Sequence, residues 1–293
     1  MSVGTNAAER VARLTGREVR SVRVAGSQHG YRHLEVAFAD GTRGFGKLAG
    51  ARTGAFAAEA NGLRWLAAAG AVPLPEVLGV DESALVIAMV PAGSSSAEAA
   101  RRFGADLARM HAAGADEFGA PWPGYIASLP LGNAPLGNAP LGDAWPRWYA
   151  ERRLLPFLRL ALSSGGLRAE DAPLVEAVID RIGSLAGPAE PPSRIHGDCW
   201  SGNVLWSGGR AWLIDPAAHG GHRETDLAML ALFGAPHLPS ILAGYAEVAP
   251  LAPGWQARVP LHQLHPLLVH ACLFGASYRS AVCSAARAAL DAS

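Results

Sequence analysis

The chain has 293 residues, 50% of them hydrophobic and 17% charged, with 25 basic and 25 acidic side chains and a formal net charge of +0. That length carries two lobes or one large domain, and the hydrophobic share excludes a disordered chain. The charge balance removes the electrostatic argument for nucleic acid or an acidic membrane surface as partner.

Three cysteines, Cys199, Cys272 and Cys283, are an odd number without metal-type spacing, which fits a reducing cytoplasm rather than a disulfide framework. The first residues carry charges where a signal peptide needs its apolar core. The longest charge-free apolar run, 227–245, is broken by Pro236, His237 and Pro239, so it predicts two buried helices rather than a membrane span. No signal bears on oligomeric state.

In chain order, 6–15 reads as a short amphipathic helix. Two strand-like runs follow, "SVRVAG" and "LEVAFADGTRGFGKL", the second turning at Asp40-Gly41. Between them "AGSQHGYRH" is either an ordinary hairpin turn or a phosphate-covering loop, in which Ser27, Gln28 and backbone N–H groups would cradle phosphate. A helix is predicted over 54–69. The uncharged strand "ALVIAMV" then leads into Pro91-Ala92-Gly93, the best candidate for a hinge. The expected division is therefore 1–91, a small β-rich lobe with one main helix, and 92–293, a larger and mostly helical lobe.

Helical periodicity marks 96–113, 144–163, 171–186, 224–233, 238–247 and 255–274. In the last of these Leu261, Leu264, Leu268 and Cys272 share one stripe. Residues 131–145 repeat as "LGNAP", "LGNAP", "LGDAW", too short for a solenoid; their Gly and Pro predict a surface loop that could shape a substrate mouth. His262 and His265 in "LHQLHPLLVH" are three apart, but Pro266 follows at once and no third metal ligand is evident, so helix packing is expected.

The chemistry concentrates in "RIHGDCWSGNVLWSGGRAWLIDP", 194–216. Two aspartates and an asparagine among Ile, Val, Leu and Trp need a reason, because carboxylates are rarely buried unless they pair or bind a cation. The spacing His-Gly-Asp-(x)4-Asn is that of a kinase catalytic loop, where Asp is the base and Asn a metal ligand. Asp198 and Asn203 fit those roles, with His196 in structural support. Asp215, twelve residues beyond Asn203 at the end of an apolar strand, supplies a second metal ligand, and an all-oxygen set suits Mg²⁺. Asp and Asn also cap turns, but four such residues at this spacing point to phosphoryl transfer.

A cation for the triphosphate is expected upstream. Lys47 in "RGFGKL" lies on a predicted strand. Glu59 shares a helical face with Phe56, Leu63 and Leu66, a costly place for an unpaired carboxylate. Each is the natural partner of the other. ATP would then lie against the "VIAMVPAG" connector, where backbone groups of Met89, Val90 and Pro91 could read the adenine.

On these residues the sequence resembles the fructosamine kinases, or ketosamine-3-kinases, within the protein-kinase-like group of small-molecule kinases. "HGDCWSGN", "LIDPAAHGGHRETDLAMLALFG", "WPRWYAERRLLPFLRLAL" and "PLAPGWQARVPLHQLHPLLVHACLFG" carry the likeness from about 20 to 280. The resemblance implies an α+β, bilobal protein-kinase-like fold and ATP-dependent phosphorylation of the sugar 3-hydroxyl of a ketosamine, which leads to deglycation of the amine. It places Trp200 against the sugar-amine substrate and has Asp226 brace the catalytic loop. Glu224 either joins that bracing or lies near the substrate ammonium. Ala218-His219 stands where the family has Tyr-Tyr, the "LGNAP" repeat lengthens its segment, and 26–31 holds no cysteine. Kinases of other small amino alcohols, such as aminoglycosides or choline, share the HGD-(x)4-N core. A nucleotide-binding pseudokinase is the alternative of a different class, and the filled catalytic positions speak against it.

Overall fold

The computed structural model describes residues 3–28, 30–137 and 141–292. Helix α1 (Val3–Thr15) precedes strands β1 (Val19–Gln28), β2 (Tyr31–Phe38) and β3 (Arg43–Ala49). Helix α2 (Ala55–Ala67) and strands β4 (Val77–Asp81) and β5 (Ala84–Ala88) complete one antiparallel sheet of order β1-β2-β3-β5-β4. The β2–β3 hairpin closes at Gly41, whose φ of 85° suits a residue without Cβ, and Asp40 Oδ1 accepts from the Thr42 N–H at 3.0 Å.

Alternation along β3 sorts its two faces. Gly44 and Gly46 let the strand lie close against Phe38, Val86 and Leu34, in the core that α1 covers through Ala7 and Val11. Phe45 and Lys47 project to the other face, where α2 packs through Phe56, Ala60 and Leu63. Lys47 pairs in register with His33 on one side and Leu85 on the other, so it sits mid-sheet.

The second part begins with α3 (Ala97–Ala112), capped by Ser96 Oγ accepting the Ala99 N–H at 3.1 Å. Strands β6 (Gly124–Ile126) and β7 (Leu129–Leu131) form a small hairpin, followed by α4 (Leu141–Tyr149), a π-helical turn (Ala150–Leu154) and α5 (Leu155–Ser163). Next come α6 (Ala172–Asp180), α7 (Ile182–Leu185) and strands β8 (Ser193–Ile195), β9 (Val204–Ser207), β10 (Arg210–Leu213) and β11 (His219–Gly221). Helices α8 (Glu224–Leu232), α9 (Leu238–Val248), α10 (Trp255–Phe274) and α11 (Arg279–Asp291) end the chain. Helices α3 and α9 touch backbone to backbone, because Gly104 faces the Ile241 carbonyl and Gly244 the Arg101 carbonyl with no room for a Cβ.

Two expectations need correction. The third repeat, "LGDAW", is not loop: α4 starts at Leu141, and burial of Trp145, Trp148 and Tyr149 overrides the helix-breaking Pro146. Residues 138–140 of the second repeat lie outside the described residues. Strands β4, β6 and β7 and helix α11 were not expected, since short or Ala-rich segments carry weak periodicity. Helix α10 runs over 255–274 as expected, through Pro266. Pro266 lacks the N–H that would reach the His262 carbonyl, and the Tyr149 hydroxyl donates to Leu261 O at 3.1 Å and His262 O at 3.3 Å instead.

Candidate active site

A cleft of about 1010 Å³ separates the sheet from the helical part. Lys47, Glu59 and Gln28 line it from the sheet side. Asp198, Asn203, Asp215 and Trp200 line it from the loop region between β8 and β11, and Met89 and Val90 from the connector.

Lys47 is the best-defined group. Its Nζ is 2.9 Å from each Glu59 carboxylate oxygen and 2.8 Å from Asp215 Oδ1. Burial opposes the charge on Lys47, but the two carboxylates outweigh it and hold its pKa above the ordinary lysine value. Burial likewise drives Glu59 upward against the pull of Lys47.

The loop after β8 is shaped by its own hydrogen bonds. Gly197 takes φ 78°, and a Cβ there would collide with the Ala217 carbonyl, so only glycine serves between His196 and Asp198. Asp226, at the start of α8, accepts from the backbone N–H of His196 at 2.7 Å and of Gly197 at 2.9 Å. His111 Nε2 lies 3.1 Å from the same carboxylate. His196 accepts the Asp198 N–H at Nδ1, 3.3 Å, so its Nε2–H donates to Ile214 O at 2.9 Å. Burial lowers the His196 pKa, which agrees with that neutral tautomer.

Asn203 donates through Nδ2 to both the carbonyl and Oδ2 of Asp198, each at 2.9 Å. Its Oδ1 takes part in neither of these bonds. The Ile214 N–H donates to Asn203 O at 3.1 Å, which sets Asp215 beside it. Asp215 has φ 55°, a left-handed conformation that Asp tolerates better than most residues and that recurs at functional sites. Asp198 is raised to about 7, by burial first, with Asp215 and Asp226 adding to it and the Asn203 amide opposing.

Three expected site residues fall elsewhere. Ser27 lies outside this cleft and lines a separate shallow depression with Gly26 and Arg32, where β1 and β2 remain paired as far as Gln28 and Tyr31. Pro91 does not line the cleft, and the Met89 N–H is already given to Arg43 O at 3.0 Å. Glu224 does not face the cleft either. It is 2% exposed and held by Arg258, with Nε at 2.9 Å and Nη2 at 2.5 Å. His222 and His262 lie beside it, all three within 4.8 Å of one another, so His262 does have potential co-ligands that the sequence hid. A cation there would have to compete with the Arg258 guanidinium for both Glu224 oxygens.

The sequence missed Phe233, His270, Phe274 and Tyr278, which line the cleft beyond Trp200. Three of them come from the α10–α11 region, whose apolar stripe drew attention to the buried face instead.

The antiparallel sheet, the helical part and a Lys–Glu pair facing an Asp/Asn loop define a protein-kinase-like phosphotransferase that uses ATP. The family model described as fructosamine kinase matches residues 11–292, and the chain belongs to that family. It is 34% identical over 231 residues to a probable ketoamine kinase of Synechocystis, covering 76% of this chain and 75% of the relative. A crystal structure of a candidate fructosamine-3-kinase from Thermobifida fusca superposes with a TM-score of 0.92 at 53% identity, over 97% of this chain and 98% of that one. The macrolide 2'-phosphotransferase MphH of Brachybacterium faecium shares the fold alone, at TM-score 0.65 and 17% identity over 98% of each chain.

Proposed function

We propose that this protein transfers the γ-phosphoryl group of ATP to the sugar 3-hydroxyl of a ketosamine, and so prepares the adduct for release of its amine. The observation that carries the reading is Asp198: a half-buried carboxyl raised to about 7, in a cleft shared with the Lys47–Glu59 pair. The names of the similar proteins support ketosamine as the acceptor.

In this reading Asp198 accepts the proton of the attacking hydroxyl while the new O–P bond forms and the bond to the β-phosphate oxygen breaks, releasing ADP. Lys47, oriented by Glu59, holds the phosphates. Asn203 Oδ1 and the Asp215 carboxylate would hold Mg²⁺; an all-oxygen pair in one cleft suits that ion. When bound, the ion neutralises charge on the phosphates. The adenine lies against Met89 and Val90, with the Met89 carbonyl rather than its N–H available. Trp200, 37% exposed and two residues from the base, contacts the substrate. The unpaired cysteines support a reducing cytoplasm as the setting. No helix among the described residues is long and apolar enough to cross a membrane.

The test is Asp198→Asn assayed with a ribulosamine and a fructosamine conjugate. Transfer is abolished and ATP binding, followed by calorimetry, survives. Wild-type turnover in that variant would end the assignment of the base. Turnover with aminoglycosides or choline but with neither ketosamine would move the substrate class.

A further inference from the structure

The cleft continues past the transfer site into a wall of rings. Trp200 meets Phe233 at 5.9 Å between centroids, Phe233 meets His270 at 4.9 Å, and His270 meets Phe274 at 5.4 Å and Tyr278 at 4.8 Å. All five line the cleft, and Phe274 is 53% exposed. The carboxylates among the lining residues, Glu59, Asp198 and Asp215, all belong to the transfer site.

His270 is the one polar ring in this wall that is fixed in a single tautomer. Its Nδ1 is 2.7 Å from the Pro266 carbonyl, which can only accept, so Nδ1 carries the proton and donates. Nε2 therefore holds a bare lone pair, and the ring's hydrogen bond among the described residues uses Nδ1 alone. Burial keeps the ring's pKa below the ordinary histidine value, so the lone pair is available at neutral pH.

We propose that His270 determines specificity for the amine of the substrate: Nε2 accepts an N–H of the protonated amine, and Trp200, Phe233, Phe274 and Tyr278 receive the group that amine carries. A neutral hydroxyl would also satisfy a lone pair, but a cleft end lined by four aromatic rings favours a cation. The only lysine or arginine among the lining residues is Lys47, on the sheet. The inference rests on the ketosamine reading above and adds the part of the substrate that the base does not touch.

The experiment compares a ketosamine with the matching 1-O-alkyl ketose ether, which keeps sugar and alkyl group but has no N–H. Wild-type protein should favour the ketosamine in kcat/KM by about tenfold or more. His270→Phe keeps a ring and loses the acceptor; it should narrow that preference to about twofold or less, with the KM for ATP unchanged. His270→Gln places an acceptor oxygen near the position of Nε2 and should recover part of the preference. Undiminished discrimination in His270→Phe overturns the proposal, and so does a parallel rise in the KM for ATP, the mark of a general structural fault. Wild-type protein that phosphorylates neither compound sinks the functional reading itself, an outcome distinct from failure of His270 alone.

Discussion

Lys47 Nζ reaches Asp215 Oδ1 at 2.8 Å, an ion pair that spans the cleft from the middle strand of the sheet to the strained residue after β10. Glu59 holds the same ammonium from the other side. In the proposed mechanism Lys47 must turn one of its contacts toward phosphate while Asp215 takes a metal ion.

Asp215→Asn tests that exchange. The variant keeps the Lys47–Glu59 pair, so folding and thermal stability should hold. Transfer should fall by at least about a hundredfold, because a neutral amide replaces an anionic ligand where charge is neutralised. Steady-state rates across a Mg²⁺ titration check it; wild-type metal dependence in the variant would remove Asp215 from that role.

The second expectation concerns protonation of Asp198. Its pKa is raised to about 7, so the carboxyl is protonated below that pH and the base is lost as pH falls. In metal-free protein the ¹³C shift of this carboxyl should titrate near 7. Adding Mg²⁺ with a non-hydrolysable nucleotide should lower the midpoint, since nearby positive charge favours the carboxylate. A midpoint near 4 in the metal-free protein would contradict the desolvated site.

Glu224 makes a stability prediction rather than a catalytic one. Burial alone would raise its pKa, but the neighbouring His262, with Nε2 3.4 Å from the carboxylate, and the Arg258 hydrogen bonds outweigh it and lower the value to about 2. A folded-state pKa below the unfolded 4.5 means the contribution is full above about 4.5 and is lost as pH falls through about 2. Its size is on the order of 3 kcal/mol. Glu224→Gln should cost about 3–5 kcal/mol at neutral pH, because Arg258 is left buried without its partner. Urea denaturation at pH 7 and pH 3 measures both effects, and the variant's deficit should shrink at the lower pH.

Asp226→Asn reports on the loop brace. The carboxylate serves two backbone donors, at His196 and Gly197, one on each oxygen, whereas an asparagine side chain offers a single acceptor oxygen. One buried N–H is left unsatisfied, at a cost of about 1–3 kcal/mol. The expected result is a lower kcat with a nearly unchanged KM for ATP. An unaltered kcat would mean that the loop holds its shape without Asp226.

Much of this molecule was legible along the chain. The small β-rich and large helical parts follow from a change in hydrophobic period near Pro91. Asp198, Asn203 and Asp215 were readable as a set from their kinase-like spacing, and the fold brings all three to one cleft. Glu59 betrayed its partner because a carboxylate on an apolar stripe must be compensated, and Lys47 was the cation on the preceding strand.

What the sequence could not give depends on contacts between distant segments. Glu224 was expected either to brace the catalytic loop or to lie near the substrate ammonium, yet Arg258 lies 34 residues further on and only helix packing brings the two together. His270 read as one more residue of a buried helix until the turn into α11 set Phe274 and Tyr278 around it. Periodicity reports which face of an element is apolar and leaves open which other element will cover it. The cluster of polar side chains that lines the cleft was therefore written in sequence order. The pairing of buried charges and the wall of the substrate cleft were decided when the helices closed on one another, since burial and Coulomb energy depend on distance in space rather than along the chain.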